Sequence, residues 1–411
     1  MQEDMRRTVD AVWRMEAARI VATLTRWVGD LGVAEDLAAD ALVDALTQWP
    51  QTGVPRNAGA WLTTVAKRKA VDRWRRQDNL DAKYAVLARE LTDHEDQPWD
   101  PDHIDDDVLR LIFTAAHPML SREAQITLTL RVVGGLSTDE IAQAFLIPKA
   151  TVAARITRAK KSLAGLPFEV PERGEFGSRL SAVLGVIYLI YNEGYSASSG
   201  EHWIRDELCS EAIRLTRVLV ALVPDEPEPL GLLALMEFQS SRFAARTDTD
   251  GRAILLEDQD RTRWDRAQIR RGAQALQRAA TARGTRGWGP YGLQAALAEC
   301  HAAAPTAAAT DWRRIVSIYD ALLQISPSPV IELNRAVAVA MADGPAAGLR
   351  IVDGITGLAD SYLLPSVRGE LLARLGRSAE AAAAFRAAAA LAGNDRERDV
   401  LLHKATRYSR D

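Results

Sequence analysis

Lys149, Thr151, Arg155, Arg158, Lys160 and Lys161 put five cations and a hydroxyl on one short stretch with no acid among them. The chemistry open to such a set is recognition of a polyanion. Lysine and arginine hold phosphates, and side chains near the start of a helix reach base edges in a major groove. Thr151 and Arg155 are the expected base readers, and Lys149, Arg158, Lys160 and Lys161 the expected phosphate contacts. A second cationic set lies upstream in WLTTVAKRKAVDRWRR, where Lys67, Arg68, Lys69, Arg73, Arg75 and Arg76 are offset only by Asp72. A basic helix with aromatics at both ends suits unpaired or melting DNA, with cations on the phosphates and aromatic or loop side chains receiving an unstacked base. Trp61 is better placed as core than as a stacking platform.

Two short helices and a tight turn must position the first set. Ser137 is a fitting N-cap, Asp139 and Glu140 suit the positive end of the helix it opens, and Ile141, Ala142 and Phe145 form one apolar face. Pro148 permits a new start, after which Val152, Ile156 and Ala159 make an inward stripe. This is the helix-turn-helix pattern. A helical hairpin with a solvated basic face is the alternative, and the second basic helix weighs against it. Leu109 to Val133 supplies the supporting helices, with Ser121 and Glu123 opening the second.

The second set is preceded by a helix through Val12, Met15, Ile20, Leu24 and Trp27, broken at Gly29 to Gly32. The next helix carries Glu35, Asp36, Asp40 and Asp44 on an exposed acidic side, turns Leu37, Ala41, Leu42, Ala45 and Leu46 inward, and ends at Trp49-Pro50. Between the two basic regions, Glu90 to Asp107 is dense in acids, poor in apolar residues and broken by prolines, which predicts a flexible linker.

At 411 residues and 47% hydrophobic, the chain is long enough for several packed domains. Its net charge of −4 argues against a nucleic-acid binder only until the charges are mapped, because the cations cluster in two stretches and the acids lie elsewhere. Cys209 and Cys300 stand far apart with no CxxC or Cys/His cluster, so neither a zinc site nor a disulfide framework is expected. His202, His301 and His403 are too scattered for a metal set. The N-terminus lacks the apolar core of a secretory signal, and the run around Leu184 to Tyr191 is too short to cross a bilayer. A cytoplasmic chain without membrane contact or cofactor is expected. No nucleophile with its base and no phosphate loop is discernible, so an enzyme is not expected. Abundant alanine and leucine, with no strand-like alternation, predict an all-α fold.

The two basic helices resemble the conserved regions of a bacterial sigma factor of the extracytoplasmic-function type. AEDLAADALVDALTQWP looks like the polymerase-binding helix of region two, GAWLTTVAKRKAVDRWRR like its helix for the melted minus-ten element, and LSTDEIAQAFLIPKATVAARITRAKKSL like region four, which reads the minus-thirty-five element. The resemblance implies a region two domain over 1–80, a linker over 81–107 and a region four domain over 108–166. It implies core RNA polymerase as partner, through its beta-prime clamp helices and beta flap, and promoter DNA. Asp36, Leu37, Asp40, Leu42 and Asp44 would face the clamp helices. The chain departs from the family pattern at Arg68, where relatives usually carry Asn, and at Ala153, where many carry Lys.

More than half the chain follows. Residues 175–411 read as successive helical hairpins, among them NRAVAVAMADGPAAGLRIVD and GELLARLGRSAEAAAAFRAAAAL, with Gly344 and Gly376 at corresponding turns. Their spacing is near the period of tetratricopeptide repeats, about 34 residues, which leave a concave surface for a peptide or protein partner. The phrases YNEGY, LLEDQDRTRWD, GPYGLQAALAECHA, TDWRRIVSIYDALL and SPVIELNRAVA resemble the group forty-two subgroup, whose members carry such an extension. In that subgroup the extension is thought to take over regulation that others delegate to an anti-sigma protein. Asn192, Glu193, Asp258, Asp260, Arg261, Asp311, Asn334 and Arg335 sit in or beside apolar helices, where they either fix inter-helix packing or line a ligand site. Two other function classes fit the same residues. One is a conventional helix-turn-helix regulator independent of polymerase; the other is a tetratricopeptide-like interaction scaffold.

Overall fold

The computed structural model describes residues 2–76, 101–145, 147–195, 206–248, 254–392 and 395–409. Side chains are described for all of these except residues 2–4, 6–7, 73–76, 101–105 and 395–397. Among the described residues the fold is all-α, without a β-strand. The chain divides into two compact units, Met1–Pro224 and Asp225–Asp411.

The first unit begins with α1 (Gln2–Val28), α2 (Leu31–Thr52) and α3 (Ala58–Arg76). Gly29, at φ 75°, closes α1, and the Asp30 side chain then caps α2 by accepting from the Val33 amide at 2.9 Å. Trp13, Ala17, Ile20, Val21 and Leu24 of α1 are buried, as are Ala34, Leu37, Ala38, Ala41, Ala45 and Trp49 of α2 and Leu62, Ala66 and Ala70 of α3. The alanines of α2 allow close helix approach, and α1 packs on both α2 and α3. Trp61 is half-buried and meets Trp49 edge-on, with ring centroids 5.4 Å apart, which fits its expected core role.

Then come α4 (Pro101–Ala115), α5 (Arg122–Val132), α6 (Thr138–Phe145) and α7 (Lys149–Leu163). Helix α4 opens inside the stretch whose composition predicts a linker. Proline at a helix start and acids in the first turns suit the helix dipole, and Asp107 is buried between Arg26 of α1 at 2.9 Å and Arg110 at 2.6 Å. The remainder of that acidic stretch lies outside the described residues. Ser121 caps α5 through the Ala124 amide. The unit closes with an apolar hairpin, α8 (Arg173–Tyr195) and α9 (Asp206–Leu222), whose facing sides bury Leu180, Leu184, Ile187 and Ile190 with Leu208, Cys209 and Ala212.

The second unit is a run of helical hairpins: α10 (Pro227–Ser240), α11 (Arg266–Arg283), α12 (Pro290–Ala303), α13 (Trp312–Ile325), α14 (Pro329–Asp343), α15 (Pro345–Val352), α16 (Leu363–Arg374), α17 (Ser378–Leu391) and α18 (Asp395–Arg407). Gly344 and Gly376, both at positive φ, sit at the α14–α15 and α16–α17 turns. Small residues set the helix spacing. A Cβ at Gly231 would lie 2.7 Å from the Gly292 amide, and one at Gly369 would meet the Phe385 ring at 2.9 Å. Among the described residues of this unit, two charged side chains are buried and hydrogen-bonded, with Arg261 Nε left without a partner. Arg261 donates to the His301 and Ala304 carbonyls at 2.6 and 2.8 Å, and Glu237 accepts from Arg271 at 3.1 Å. Asp260 and Asp311 cap helix starts, and Arg335 pairs with Asp320 at 2.5 Å. These three expected polar residues, with Arg261, therefore have structural partners.

Candidate polymerase and nucleic-acid interface

The helix-turn-helix is built by a reciprocal cap. The Glu140 amide donates to Ser137 Oγ at 3.1 Å while the Ser137 amide donates to Glu140 Oε2 at 2.7 Å, so two orphan amides of α6 are satisfied. Pro148 starts α7, whose Val152, Ile156, Ala159 and Leu163 are buried, as their spacing predicts. The outward side of α7 then carries Thr151, Arg155, Arg158 and Lys161, one residue per turn or nearly so. Thr151 and Arg155 are half-exposed; Arg158 and Lys161 are exposed. Arg158 also donates to its own-helix Ala154 carbonyl at 3.2 Å, and Lys149 pairs with Asp139 of α6 at 2.8 Å, both side chains exposed. That side presents cations at the start and end of a helix, an arrangement fit for phosphate and base-edge contact.

Lys160 is not on that side. It follows Ile156 by four residues and turns inward, where its ammonium is paired with Glu35 of α2 and lies 3.4 Å from Asp36 Oδ1. Its expected role as a DNA contact is therefore unmet in this arrangement.

Helix α2 presents Asp36 and Asp40 to solvent, with Leu42 and Asp44 half-exposed between Ala41 and Ala45. Leu37 is buried, and Leu46, expected inward, is exposed. Glu35, expected on the acidic surface, is only 7% exposed. It accepts from Arg131 Nε of α5 at 2.8 Å, and from Arg131 Nη2 and Lys160. Burial alone would raise its pKa, but the two cations outweigh this and hold the carboxyl below its ordinary range. The sequence signal is its position: Glu35 lies four residues after Leu31 and three before Ala38, inside the inward stripe of α2.

On α3, Lys67 and Lys69 are half-buried and Arg68 is exposed. Lys69 pairs with Asp44 at 2.9 Å, linking the acidic and basic helices. Burial, then Arg26, lowers the pKa of Lys67. The side chains of Arg73, Arg75 and Arg76 lie outside the described part of the structure.

The α8–α9 hairpin rests on the helix-turn-helix domain. Arg214 donates to the Val133 and Gly134 carbonyls at 3.3 and 3.4 Å and to Glu211 at 2.7 Å, and Arg179 donates to the Phe113 carbonyl at 3.1 Å. A Cβ at Gly134 would lie 2.9 Å from Glu211 Oε1, so that turn and α9 meet without spare room. No cluster of metal-ligating side chains occurs among the described residues, and no described helix is long and apolar enough to cross a membrane.

An acid-faced helix thus lies beside a basic helix and is followed by a helix-turn-helix. Comparison with known families gives the class. Residues 12–80 match Sigma-70 region 2 and residues 110–163 match Sigma-70, region 4. Residues 179–280, from α8 into α11, match a Family of unknown function (DUF6596). An uncharacterized protein of Rhizobium meliloti (strain 1021) is 43% identical over 384 residues, covering 92% of this chain and 90% of its own. The chain belongs to the sigma-70 family of transcription initiation factors, whose partners are core RNA polymerase and promoter DNA.

Proposed function

We propose that this chain is a sigma factor of the extracytoplasmic-function type, in the group forty-two manner, with its C-terminal extension regulating promoter use in cis. Asp36, Asp40, Leu42 and Asp44 bind the beta-prime clamp helices, with Leu37 buried on the inner side of the same helix. The helix from Trp61 to Arg76 engages melted minus-ten DNA through Lys67, Arg68 and Lys69, followed by Arg73, Arg75 and Arg76. Thr151 and Arg155 read the minus-thirty-five duplex, Lys149, Arg158 and Lys161 hold its backbone, and the region four domain meets the beta flap. The protein acts in the cytoplasm, and the hairpins of residues 225–411 offer a surface to a protein or peptide partner.

The regulatory part rests on one observation. The extension's first hairpin is fastened by Arg214 to the backbone of the turn that leads into the helix-turn-helix. An element so attached biases how region four is presented. The test is promoter-dependent transcription with core polymerase, comparing the full chain with Arg214→Ala. Initiation by the full chain with altered promoter use by the variant supports the reading. Equal promoter use by the two removes the regulatory part, and a version ending at Leu166 that keeps the same promoter use removes it altogether.

A further inference from the structure

We propose that the outward face of α11, in the second unit, is a further DNA-binding surface of the chain, one that holds the phosphates of a duplex. It is separate from the two basic regions of the first unit, and it takes from the sigma-family reading only the identity of the polyanion.

Helix α11 runs from Arg266 to Arg283 with five arginines and no acid. One side of it serves packing. Gly272, Ala275, Leu276 and Ala279 are buried, and a Cβ at Gly272 would lie 3.0 Å from the Phe238 ring of α10. At 3.6 residues per turn the opposite side carries Arg266, Arg270, Gln274, Gln277, Arg278 and Thr281, and all six are exposed. Arg271 stands at the edge of this face, exposed but paired with Glu237 at 3.1 Å.

The cations of this face lack the partners that arginines have in neighbouring helices. Arg314 pairs with Glu299 at 2.8 Å, Arg335 with Asp320 at 2.5 Å and Arg368 with Asp353 at 2.9 Å, each with an acid 15 residues earlier. Arg270 and Arg278 make no ion pair among the described residues, and Arg266 donates only to the Arg261 carbonyl, at 3.4 Å. The nearest acid in sequence, Asp265, is engaged as the helix cap by the Ala267 and Gln268 amides at 2.7 and 3.1 Å. On a chain of net charge −4 this is a local concentration of positive charge, and a bound polyanion relieves the repulsion within it.

The chemistry of the face selects nucleic acid over an acidic protein. A protein interface is centred on apolar or aromatic anchors, and these six side chains end in guanidinium, amide and hydroxyl groups. Those are the groups that hold phosphates. Arg266 to Arg278 spans about 18 Å at about 1.5 Å per residue, a length over which a duplex presents roughly ten phosphates, at about one charge per 1.7 Å.

The test is binding of the full chain, without polymerase, to a fluorescein-labelled duplex of about 30 base pairs, followed by anisotropy across salt concentrations. Arg270→Gln with Arg278→Gln removes two exposed cations and is expected to leave thermal melting unchanged. It should reduce the log–log salt slope by about 1.8, two phosphate contacts at about 0.9 each, and weaken binding at least about tenfold at about 0.1 M salt. A second variant, Gln274→Glu with Gln277→Glu, keeps every arginine, sets acids among them and is expected to weaken binding likewise. Arg335→Gln with Arg368→Gln removes the same charge from paired positions of the same unit and is expected to leave the slope unchanged. Binding unchanged in both face variants overturns the proposal and leaves the face to an acidic protein partner. Equal losses in the control pair, or a parent chain that binds no duplex at about 50 mM salt, overturn it as well. Loss of slope in the face variants by a chain that initiates on no promoter keeps the contact and removes the sigma reading, so the two failures are distinct.

Discussion

Replacing Arg214 by alanine isolates the contribution of the first extension hairpin to region four. The guanidinium lies between the Glu211 carboxylate, at 2.7 and 3.0 Å, and two carbonyls of the α5–α6 turn, at 3.3 and 3.4 Å. Truncation leaves a carboxylate that is only 10% accessible without its cation. Losing one partner of a fully buried pair costs about 3–5 kcal/mol. Arg214 itself is 34% accessible, so solvent screening reduces that figure to roughly 2 kcal/mol. Hydrogen exchange followed by mass spectrometry on the full chain reads this directly. Amides of residues 122–136 should exchange about thirtyfold faster in Arg214→Ala, since 1.4 kcal/mol is a factor of ten. Arg214→Lys should recover only part, because an ammonium cannot span carboxylate and carbonyls as a planar fork does. The double change Arg214→Met with Glu211→Leu should recover more, as it removes the stranded charge. Unchanged exchange in Arg214→Ala would refute the view that this hairpin secures region four.

Other perturbations probe separate parts of the structure. Ser137→Ala should destabilise α6 by about 1 kcal/mol through loss of the reciprocal cap, seen as faster exchange of the Glu140 amide. Gly135→Ala places a side chain at φ 71° and 3.1 Å from the Ala17 methyl, and should cost about 1–2 kcal/mol on thermal unfolding of the full chain. Asp36→Asn with Asp40→Asn should weaken core polymerase binding at least about tenfold while leaving circular dichroism unchanged, because both side chains are exposed. The second unit should lose stability in acid. Burial, then Arg242 and Arg261, lowers the pKa of His301 to about 4 from 6.5. The folded state therefore binds fewer protons than the unfolded one, and stability present above pH 6.5 is lost as pH falls toward 4. The loss is up to about 3 kcal/mol, and His301→Gln should remove that slope in urea titrations at each pH.

The parts legible in the sequence are those fixed by one helix and its own ends. Ser137 with Glu140 announces a helix start, and the Val152, Ile156 and Ala159 stripe fixes which side of α7 faces inward, since both follow from local geometry. Burial by a distant element is another matter. Glu35 belongs by charge to the acidic face of α2 and by position to its inward stripe, and only the arrival of Arg131, 96 residues away, makes the second assignment affordable. Lys160 carries the same ambiguity at the edge of the α7 stripe, and its partner lies 125 residues upstream. Helix α4 starts inside an acid-rich stretch because Asp107 finds Arg26 across the fold, a pairing that composition does not contain. Leu46 shows the converse: its spacing suits the inward face, but α2 ends near Thr52 with nothing covering that side among the described residues.

Promoter-dependent initiation tests the central assignment most directly. Core RNA polymerase is supplied with the full chain and a broad promoter library, and transcripts are mapped at their starts. The account predicts discrete start sites that require the chain and disappear with Asp36→Asn plus Asp40→Asn. Absence of chain-dependent starts across the library, together with operator binding by the chain alone that is indifferent to those two acids, would contradict it.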